Sequence, residues 1–185
     1  MFLVYVARTT GRIVVTNDVV FIRHYERFRA KQGTMRYVIL SEDMLLTFGE
    51  QHADRDYRPR PAVYVVIRDE EGKVALVRER QHLFLPGGGI DPGEDLETAL
   101  RREVREECCR TIHIEDRLGE ALQYFSVQDR HYASHGTYFV ARFTGETSGE
   151  PEHELVWLDP QDAVAEVFYQ AHRWAIKAAV RVAKS

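Results

Sequence analysis

Three glutamates crowd one short stretch of this sequence. The segment RREVREECCR, from Arg101 to Arg110, carries Glu103, Glu106 and Glu107 at relative spacings of zero, three and four. On a helix such side chains share one side, where like charges repel each other. A hard divalent cation, which binds carboxylate oxygens and keeps several of its waters, would compensate this repulsion. The spacing therefore indicates cation chemistry if the segment is helical.

The surrounding residues predict a helix that places two of these acids on its buried face. At about 100° per residue, Glu103 and Glu107 fall in the middle of the apolar stripe, and Glu106 falls at its edge. Carboxylates that face a core are costly unless a partner compensates them. Arg102 or a bound cation would do so, and a solvated acidic helix end is the alternative. The apolar stripe comprises Leu96, Ala99, Leu100 and Val104.

The segment before this helix is rich in glycine. LFLPGGGIDPGED holds four glycines between Pro86 and Asp95. Repeated glycine is typical of backbone that turns sharply or approaches a ligand closely, and it fits neither a helix nor a strand. We therefore expect a loop beside the acidic helix. Its register with the acids favours a cation site over a solvated helix end.

The glycine segment and the helix together resemble the Nudix box. Five residues separate Gly88 from Glu94, and seven more separate Glu94 from Arg102. The chain then reads REVREE, against a family pattern of Arg-Glu-hydrophobic-X-Glu-Glu-X-Gly-hydrophobic. In place of the last two residues, where glycine ends the helix with a positive φ, this chain has Cys109 and Arg110. The departure concerns the helix terminus and not the glutamates. The matched positions are Gly88, Glu94, Arg102, Glu103, Val104, Glu106 and Glu107.

The resemblance covers about residues 61–175 and implies an α/β (α+β) fold class. The expected architecture is a Nudix-type α/β/α sandwich around a mixed β-sheet. AVYVVI and VALVRE read as a hairpin, and GEALQYFSV, GTYFVARF and HELVWL read as later strands. DPQDAVAEVF and AHRWAIKAAVRVA have helical periodicity. We assign residues 59–185 to the Nudix hydrolase domain.

Residues 1–58 lie outside the resemblance and are predicted to form an N-terminal β-rich extension. FLVYVA and RIVV read as a hairpin, MRYVIL as a strand, and SEDMLLTF as a short helix capped by Ser41. Pro59 and Pro61 mark the boundary. The extension either packs on the core or supplies strand edges for a homodimer, and the sequence leaves both interpretations open.

The resemblance implies hydrolysis of a pyrophosphate bond in a nucleoside di- or triphosphate derivative, with Mg²⁺ (or Mn²⁺) as the cofactor. The expected chemistry is attack of a metal-activated water on phosphorus. By the same resemblance, Arg102 and Glu94 form a pair that orients the catalytic glutamates. The implied metal ligands are Glu103, Glu106, Glu107 and the carbonyl of Gly88.

Downstream residues are candidates for the rest of the site. Glu152 and Glu154, in PEHELVW, are candidates for the general base and for substrate contacts, because that segment would return towards the glutamates. Tyr124 is a candidate for stacking a base, although aromatic residues that alternate through a strand usually pack in the core. Cys108 and Cys109 are adjacent, so no disulfide framework is implied, and we place both on the arginine face of the helix. No residue identifies which nucleotide derivative is the substrate.

The composition of the chain limits which binding partners are expected. The formal net charge is −4, so no bulk attraction to nucleic acid or to an anionic membrane is expected. No window approaches the roughly 18 apolar residues of a membrane span, and the first residues lack a signal-peptide pattern. We expect a cytoplasmic protein whose partner is a small-molecule nucleotide.

Two other functions remain open at this point. A catalytically silent Nudix-fold module would bind a nucleotide as a sensor or interaction module, but a silent site has no need of three clustered acids. An isoprenoid diphosphate isomerase on the same fold needs additional acid–base residues, of which the sequence shows no clear sign. The glutamates favour the pyrophosphohydrolase.

Overall fold

The computed structural model describes residues 45–182 and, ahead of them, the backbone of residues 5–9, 12–16 and 38–40. The chain divides into two compact units, Met1–Thr47 and Phe48–Ser185. This division precedes the predicted boundary at residues 58/59. One reason is that the Gly49 N–H donates to Gln170 Oε1 at 3.0 Å, within the second unit. The role predicted for the N-terminal segment stays a prediction.

In the first unit the described backbone forms a small sheet. β1 (Tyr5–Thr9) and β2 (Arg12–Thr16) pair antiparallel, and β3 (Val38–Leu40) pairs parallel with β1. The predicted hairpin and the strand predicted in MRYVIL are therefore confirmed.

The short helix predicted for SEDMLLTF is wrong at its C-terminal end. Leu46–Phe48 form strand β4, which spans the boundary between the two units. Residues 41–44 lie outside the described part. The β-branched Thr47 and aromatic Phe48 suit an extended conformation, and this preference outweighs the N-cap signal.

The second unit contains the remaining strands and helices. Its strands are β5 (Tyr57–Ile67), β6 (Val74–Glu79), β7 (His82–Phe84), β8 (Gly87–Gly89), β9 (Arg110–Val127), β10 (Arg130–Glu146) and β11 (Glu154–Leu158). Its helices are α1 (Leu96–Cys108), α2 (Pro160–Glu166) and α3 (Gln170–Val182). Among the described helices, none is long and apolar enough to cross a membrane.

Two sheets organise the second unit. Four strands of the larger sheet run in the order β9-β10-β5-β8, with β10 antiparallel to β9 but parallel to β5. The smaller sheet has the order β11-β6-β7, and its pairs are antiparallel. The larger sheet is therefore mixed, as predicted.

Strand β5 is covered on both faces. Residues 62–67 are all buried, so alternation sends side chains into two separate cores. Val63, Val65 and Ile67 pack in one core with the apolar stripe of α1. On the other face Tyr64 contacts His172 of α3, with ring centroids 4.5 Å apart. Helices on both faces of a mixed sheet confirm the predicted fold class.

The predicted hairpin of AVYVVI and VALVRE is only partly formed. Both strands exist, but one bridge, between Arg68 and Val74, joins them before they diverge into the two sheets. The turn itself is regular, because the Gly72 N–H donates to Asp69 O at 3.1 Å. β5 thus pairs with β10, and β6 pairs with β11, instead of β5 and β6 pairing with each other along their length.

The glycine segment is a strand, so the predicted loop is wrong at Gly87–Gly89. β8 pairs antiparallel with β5, with Val63 opposite Gly88. Glycine is required because Gly87 has φ +130° and a Cβ there would lie 2.2 Å from the Val63 carbonyl oxygen. The segment therefore lies against β5 more closely than residues with side chains allow.

Candidate active site

Helix α1 forms as the sequence predicts. It begins after Asp95, whose Oδ1 accepts a hydrogen bond from the Thr98 N–H at 2.8 Å as an N-cap. Glu107 is buried and the side chain of Glu103 is 16% exposed, whereas the side chain of Glu106 is 41% exposed. The placement of two acids on the buried face is confirmed.

Cys109 ends the helix in the conformation that the family pattern reserves for glycine. Its φ of 51° and ψ of 42° are left-handed, and its N–H donates to Arg105 O at 3.0 Å. A side chain in this region costs about 1 kcal/mol. The helix therefore ends at the expected residue, and the glutamates keep their register.

The prediction for Cys108 is wrong, because this residue does not lie on the arginine face. It is 5% exposed and belongs to the core cluster that includes Val104 and Ile112. Its position adjoins the apolar stripe, one turn after Val104. Burial raises the pKa of its thiol to about 12, so it is an unreactive packing residue.

Arg102 joins the glycine segment to the acidic helix. Its Nε and Nη2 donate to the two carboxylate oxygens of Glu94 at 2.8 and 2.9 Å, and Nη2 also donates to Gly89 O at 3.0 Å. Its Nη1 donates to Glu103 Oε1 at 2.9 Å and to Glu106 Oε2 at 3.0 Å. The bond from Arg102 lowers the pKa of Glu94. The predicted orienting pair is thus brought together.

Gly88 lies directly against the carboxylate of Glu103. A Cβ at Gly88 would be 2.7 Å from Cδ and from both carboxylate oxygens, so any side chain there would displace the carboxylate of Glu103 from this position. Burial raises the pKa of Glu103, although the hydrogen bond from Arg102 opposes the rise. The glycine segment therefore holds this carboxylate in a confined, partly desolvated position.

Glu107 is the most buried of the three acids. Its Oε2 accepts from the Gly87 N–H at 2.8 Å, and its Oε1 lies 3.8 Å from His153 Nε2. Burial, followed by the charges of Glu103, Glu152 and Glu79, raises its pKa to about 8, even though the bond from Gly87 acts in the opposite direction. Near neutral pH this carboxyl group retains its proton until a cation stabilises its charge.

A cavity of about 380 Å³ opens beside these acids and is lined by two groups of residues. The acidic group comprises Glu79, Glu103 and Glu107, together with His153 and the glycines of β8. The aromatic group comprises Tyr64, Phe84, Phe125, Tyr132, Tyr169 and His172. Phe125 stacks on Tyr132 at a centroid distance of 5.3 Å and contacts the tilted ring of Tyr169 at 5.0 Å. The arrangement offers carboxylates for a cation and ring faces for a planar group.

His172 is a neutral member of the aromatic group. Its Nδ1 accepts a hydrogen bond from the Leu85 N–H at 3.1 Å, which leaves the ring proton on Nε2. Burial and the charge of Arg60 lower its pKa to about 3. His172 is thus a fixed hydrogen-bond donor and carries no charge at physiological pH.

Comparison with known families agrees with this geometry. The family model of the NUDIX domain matches residues 58–179, which is most of the chain. The chain belongs to the Nudix family. Its Nudix box is the segment from Gly88 to Arg110, formed by β8, α1 and the first residue of β9.

Curated relatives include two kinds of Nudix protein. The RNA pyrophosphohydrolase of Afipia carboxidovorans is 33% identical over 100 residues, which are 48% of this chain and 58% of that protein. The 8-oxo-dGTP diphosphatase of Haemophilus influenzae is 31% identical over 100 residues, 51% of this chain and 71% of that protein. The chain spans less than two thirds of the RNA pyrophosphohydrolases that it matches.

Solved structures share the Nudix fold. The MutT protein from Methanosarcina mazei Go1 superposes with a TM-score of 0.56 at 23% identity, over 71% of this chain and 100% of that chain. A C. elegans Ap4A hydrolase binary complex superposes with a TM-score of 0.55 at 22% identity, over 68% of this chain and 99% of that chain. These similarities concern the fold.

The structure separates the two acids that follow the Nudix box. Glu152 lies next to the site, since its N–H donates to Glu106 O at 3.1 Å and its charge acts on Glu107. Glu154 instead pairs with Arg78 at 2.9 Å. Arg78 projects away from the cavity, because its neighbours Val77 and Glu79 line the cavity.

Tyr124 is not among the residues that line the cavity. Its ring packs edge-on against Tyr57, with the centroids 4.9 Å apart. Alternation along β9 directs its neighbour Phe125 into the cavity instead. The structure therefore places Phe125 and not Tyr124 on the cavity wall, and a role of Tyr124 in stacking a base stays a prediction.

Several lining residues were not singled out from the sequence. Arg60 lies between two prolines in β5 and Glu79 is the last residue of β6, and the sequence offers no spacing that marks either of them. Tyr169 directly precedes α3 and His172 lies in the first turn of α3, some 60 residues after the box. The sequence did offer an indication for His153, because it stands between Glu152 and Glu154, the two downstream acids that were considered as site residues. Only the fold brings these positions together.

The donor set fits a cation that is completed by substrate. No group of three or more His, Cys, Asp or Glu side chains in the described residues is arranged to hold a metal ion by itself. Glu103 and Glu106 point to Arg102, while Glu107 points to Gly87. Mg²⁺ in proteins is usually held by one or two carboxylates with waters and phosphate oxygens. Glu103 and Glu107 on the cavity wall, the second of them buried with a raised pKa, meet that requirement.

Proposed function

We propose that this Nudix protein hydrolyses a pyrophosphate bond in a nucleoside di- or triphosphate derivative, with Mg²⁺ or Mn²⁺ as its cofactor. The observation that carries the proposal is the shared cavity, because Glu103 and Glu107 line the same cavity as six aromatic or imidazole rings. Phosphates need a cation beside carboxylates, and a base needs ring faces. The names of the curated relatives support the same class of substrate.

Glu103 and Glu107 would hold the cation, with Glu106 as a third ligand and the Gly88 carbonyl beside them. When bound, such an ion neutralises charge on the phosphates and makes a water more acidic. Arg102 positions Glu103 and Glu106 by shared hydrogen bonds from Nη1. Glu94 in turn fixes Arg102 through both carboxylate oxygens.

Glu152 is the proposed general base. It lies beside Glu106 and acts electrostatically on Glu107, whereas Glu154 is engaged with Arg78. A base near the acidic group can take a proton from the attacking water. The cytoplasmic location and a homodimer through residues 1–58 remain predictions.

The test is a substrate panel assayed with Mg²⁺ and with Mn²⁺. It includes nucleoside triphosphates, 8-oxo-dGTP, dinucleoside polyphosphates and 5′-triphosphorylated RNA, and product release is measured. Glu107→Gln should lower turnover by more than about 100-fold, because it removes a charged ligand. Glu97→Gln is the matched control, since Glu97 is an exposed acid on the same helix.

Two results would contradict the proposal. Undiminished turnover in Glu107→Gln, at the level of Glu97→Gln, would show that the site lies elsewhere. Tight binding of one panel member without any turnover would identify a nucleotide sensor instead of an enzyme.

A further inference from the structure

Arg60 occupies a distinctive place in the cavity. It lies on β5 in register with Ser134 of β10, and it lines the cavity together with Glu103 and the aromatic group. A Cβ on Gly89 would be 3.9 Å from its Nη2, so the guanidinium lies over the glycine segment. Arg60 is the only arginine or lysine among the lining residues.

The guanidinium of Arg60 has spare hydrogen-bond donors. Among the described residues its one side-chain hydrogen bond runs from Nη1 to Tyr64 Oη at 3.3 Å, and it forms no ion pair. Arg102, in contrast, is engaged by three glutamates and a carbonyl. A guanidinium has five N–H groups, so most of those on Arg60 point to no protein partner in the described residues.

Arg60 is half-buried and keeps its positive charge. Burial acts against that charge, but Tyr64, Tyr169 and Glu103 outweigh it and raise the pKa of Arg60. Arg60 thus lies where the acidic group meets the aromatic group, which is where a phosphate between a base and a metal would be found. Arginine binds phosphate oxygens in a planar, two-pronged geometry.

We propose that Arg60 binds a phosphate oxygen of the substrate and so positions the phosphate chain between the aromatic group and the acidic group. This proposal rests on the proposed function, because it assigns the nucleotide's phosphates to the same cavity. It makes Arg60 a substrate-binding residue outside the Nudix box.

The test is equilibrium binding of the non-hydrolysable α,β-methylene analogue of GTP in the presence of Mg²⁺. Arg60→Gln should raise Kd by about 10- to 100-fold, the range for a hydrogen bond to a charged group. Arg60→Lys should show a smaller loss, because it keeps the charge but not the fork. Added salt should weaken binding less steeply in Arg60→Gln than in the unaltered protein.

The matched control is Arg58→Gln, which removes the same charge two residues earlier on β5. Arg58 is exposed and does not line the cavity, so its Kd should change by less than about 2-fold. Thermal melting of all variants checks folding. Guanosine, which lacks phosphates, serves as the second ligand, and Arg60→Gln should leave its affinity unchanged.

Three outcomes would overturn the proposal. These are a Kd for Arg60→Gln equal to that of Arg58→Gln, an equal loss for guanosine and for the analogue, and no binding of the analogue by the unaltered protein. Because this experiment measures binding and not turnover, its failure can be distinguished from a failure of the proposed hydrolase function. A protein that binds the analogue through Arg60 but turns over no panel member would refute the hydrolase and keep the assignment of Arg60.

Discussion

Glu107 is a carboxyl group held where the folded chain disfavours its charge. The hydrogen bond from the Gly87 N–H opposes the effect of its burial, and three other acids act on it. A cation would reverse this balance, since it favours the ionised form. The residue that destabilises the metal-free protein is therefore the residue best suited to bind metal.

Glu107 should lower the stability of the metal-free protein as pH rises from about 4.5 to 8. Below pH 6.5 the buried neutral His172, whose pKa is lowered from 6.5 to about 3, acts in the opposite direction, so the net fall should appear between about pH 6.5 and 8. In this window the folded state keeps the Glu107 proton, whose pKa is about 8, while the unfolded chain, with an ordinary value of 4.5, has lost it. Unfolding then releases a proton, so the free energy of unfolding decreases with pH. Denaturant melts of the metal-free protein at several pH values measure this slope.

Glu107→Gln should remove most of this slope and stabilise the metal-free protein at pH 8 by on the order of 2–4 kcal/mol. Glutamine keeps an acceptor for the Gly87 N–H, so the packing is preserved. Addition of Mg²⁺ should stabilise the unaltered protein but not the variant. If the slope is the same in both proteins, the burial of Glu107 does not control it.

At the scale of elements, α1 and β8 act together to position the carboxylates of the site. Gly88 makes room for the Glu103 carboxylate, and Arg102 joins the helix back to the strand at Gly89. The number of residues between Gly88 and the glutamates of the Nudix box is thus the chain length that lets β8 lie against the acidic face of α1. The left-handed Cys109 shows that this arrangement of α1 and β8 tolerates a strained residue at the end of the helix.

Replacing Cys109 with glycine should stabilise the protein without altering the site. Glycine adopts the left-handed conformation freely, so Cys109→Gly should gain about 0.5–1 kcal/mol, or about 1–4 °C in Tm for a chain of this size. Cys109→Ala is the control, because alanine keeps the Cβ and its strain. Thermal melting gives the comparison, and a variant no more stable than Cys109→Ala would show that the conformation carries little strain.

At the scale of the whole molecule, the site lies within one unit. The cavity-lining residues run from Arg60 to His172, and the family match spans residues 58–179. Both ranges fall inside Phe48–Ser185. The first unit contributes no residue to the lining of the cavity as described.

A fragment of residues 48–185 should therefore retain substrate binding and turnover within about 3-fold of the full chain. A fragment that starts at residue 59 should be less stable, because it loses the Gly49 N–H bond to Gln170 at the start of α3. Circular dichroism and turnover of the two fragments make the comparison, and size-exclusion chromatography reports whether residues 1–47 hold a dimer. Loss of activity in the 48–185 fragment would show that the first unit supports the site.

Local pattern was sufficient for much of this protein. The helical projection of Glu103, Glu106 and Glu107 depends on residues within one helix, so it could be predicted. The strands of the body were also recognisable, since alternation and β-branched content are local properties. The helix predicted in SEDMLLTF failed because a capping signal is weak beside the strand preference of the residues that follow it.

The sequence by itself determined which residues can bind a cation and on which side of a helix they lie, because helix geometry relates spacing to direction. Only the tertiary structure decided what faces them. Arg60 and Phe125 come from β5 and β9, Tyr169 directly precedes α3 and His172 lies in its first turn. They meet because strands far apart in sequence pair in one mixed sheet. Spacing along a chain carries no information on such contacts, since the sheet register that creates them is set by packing on both of its faces.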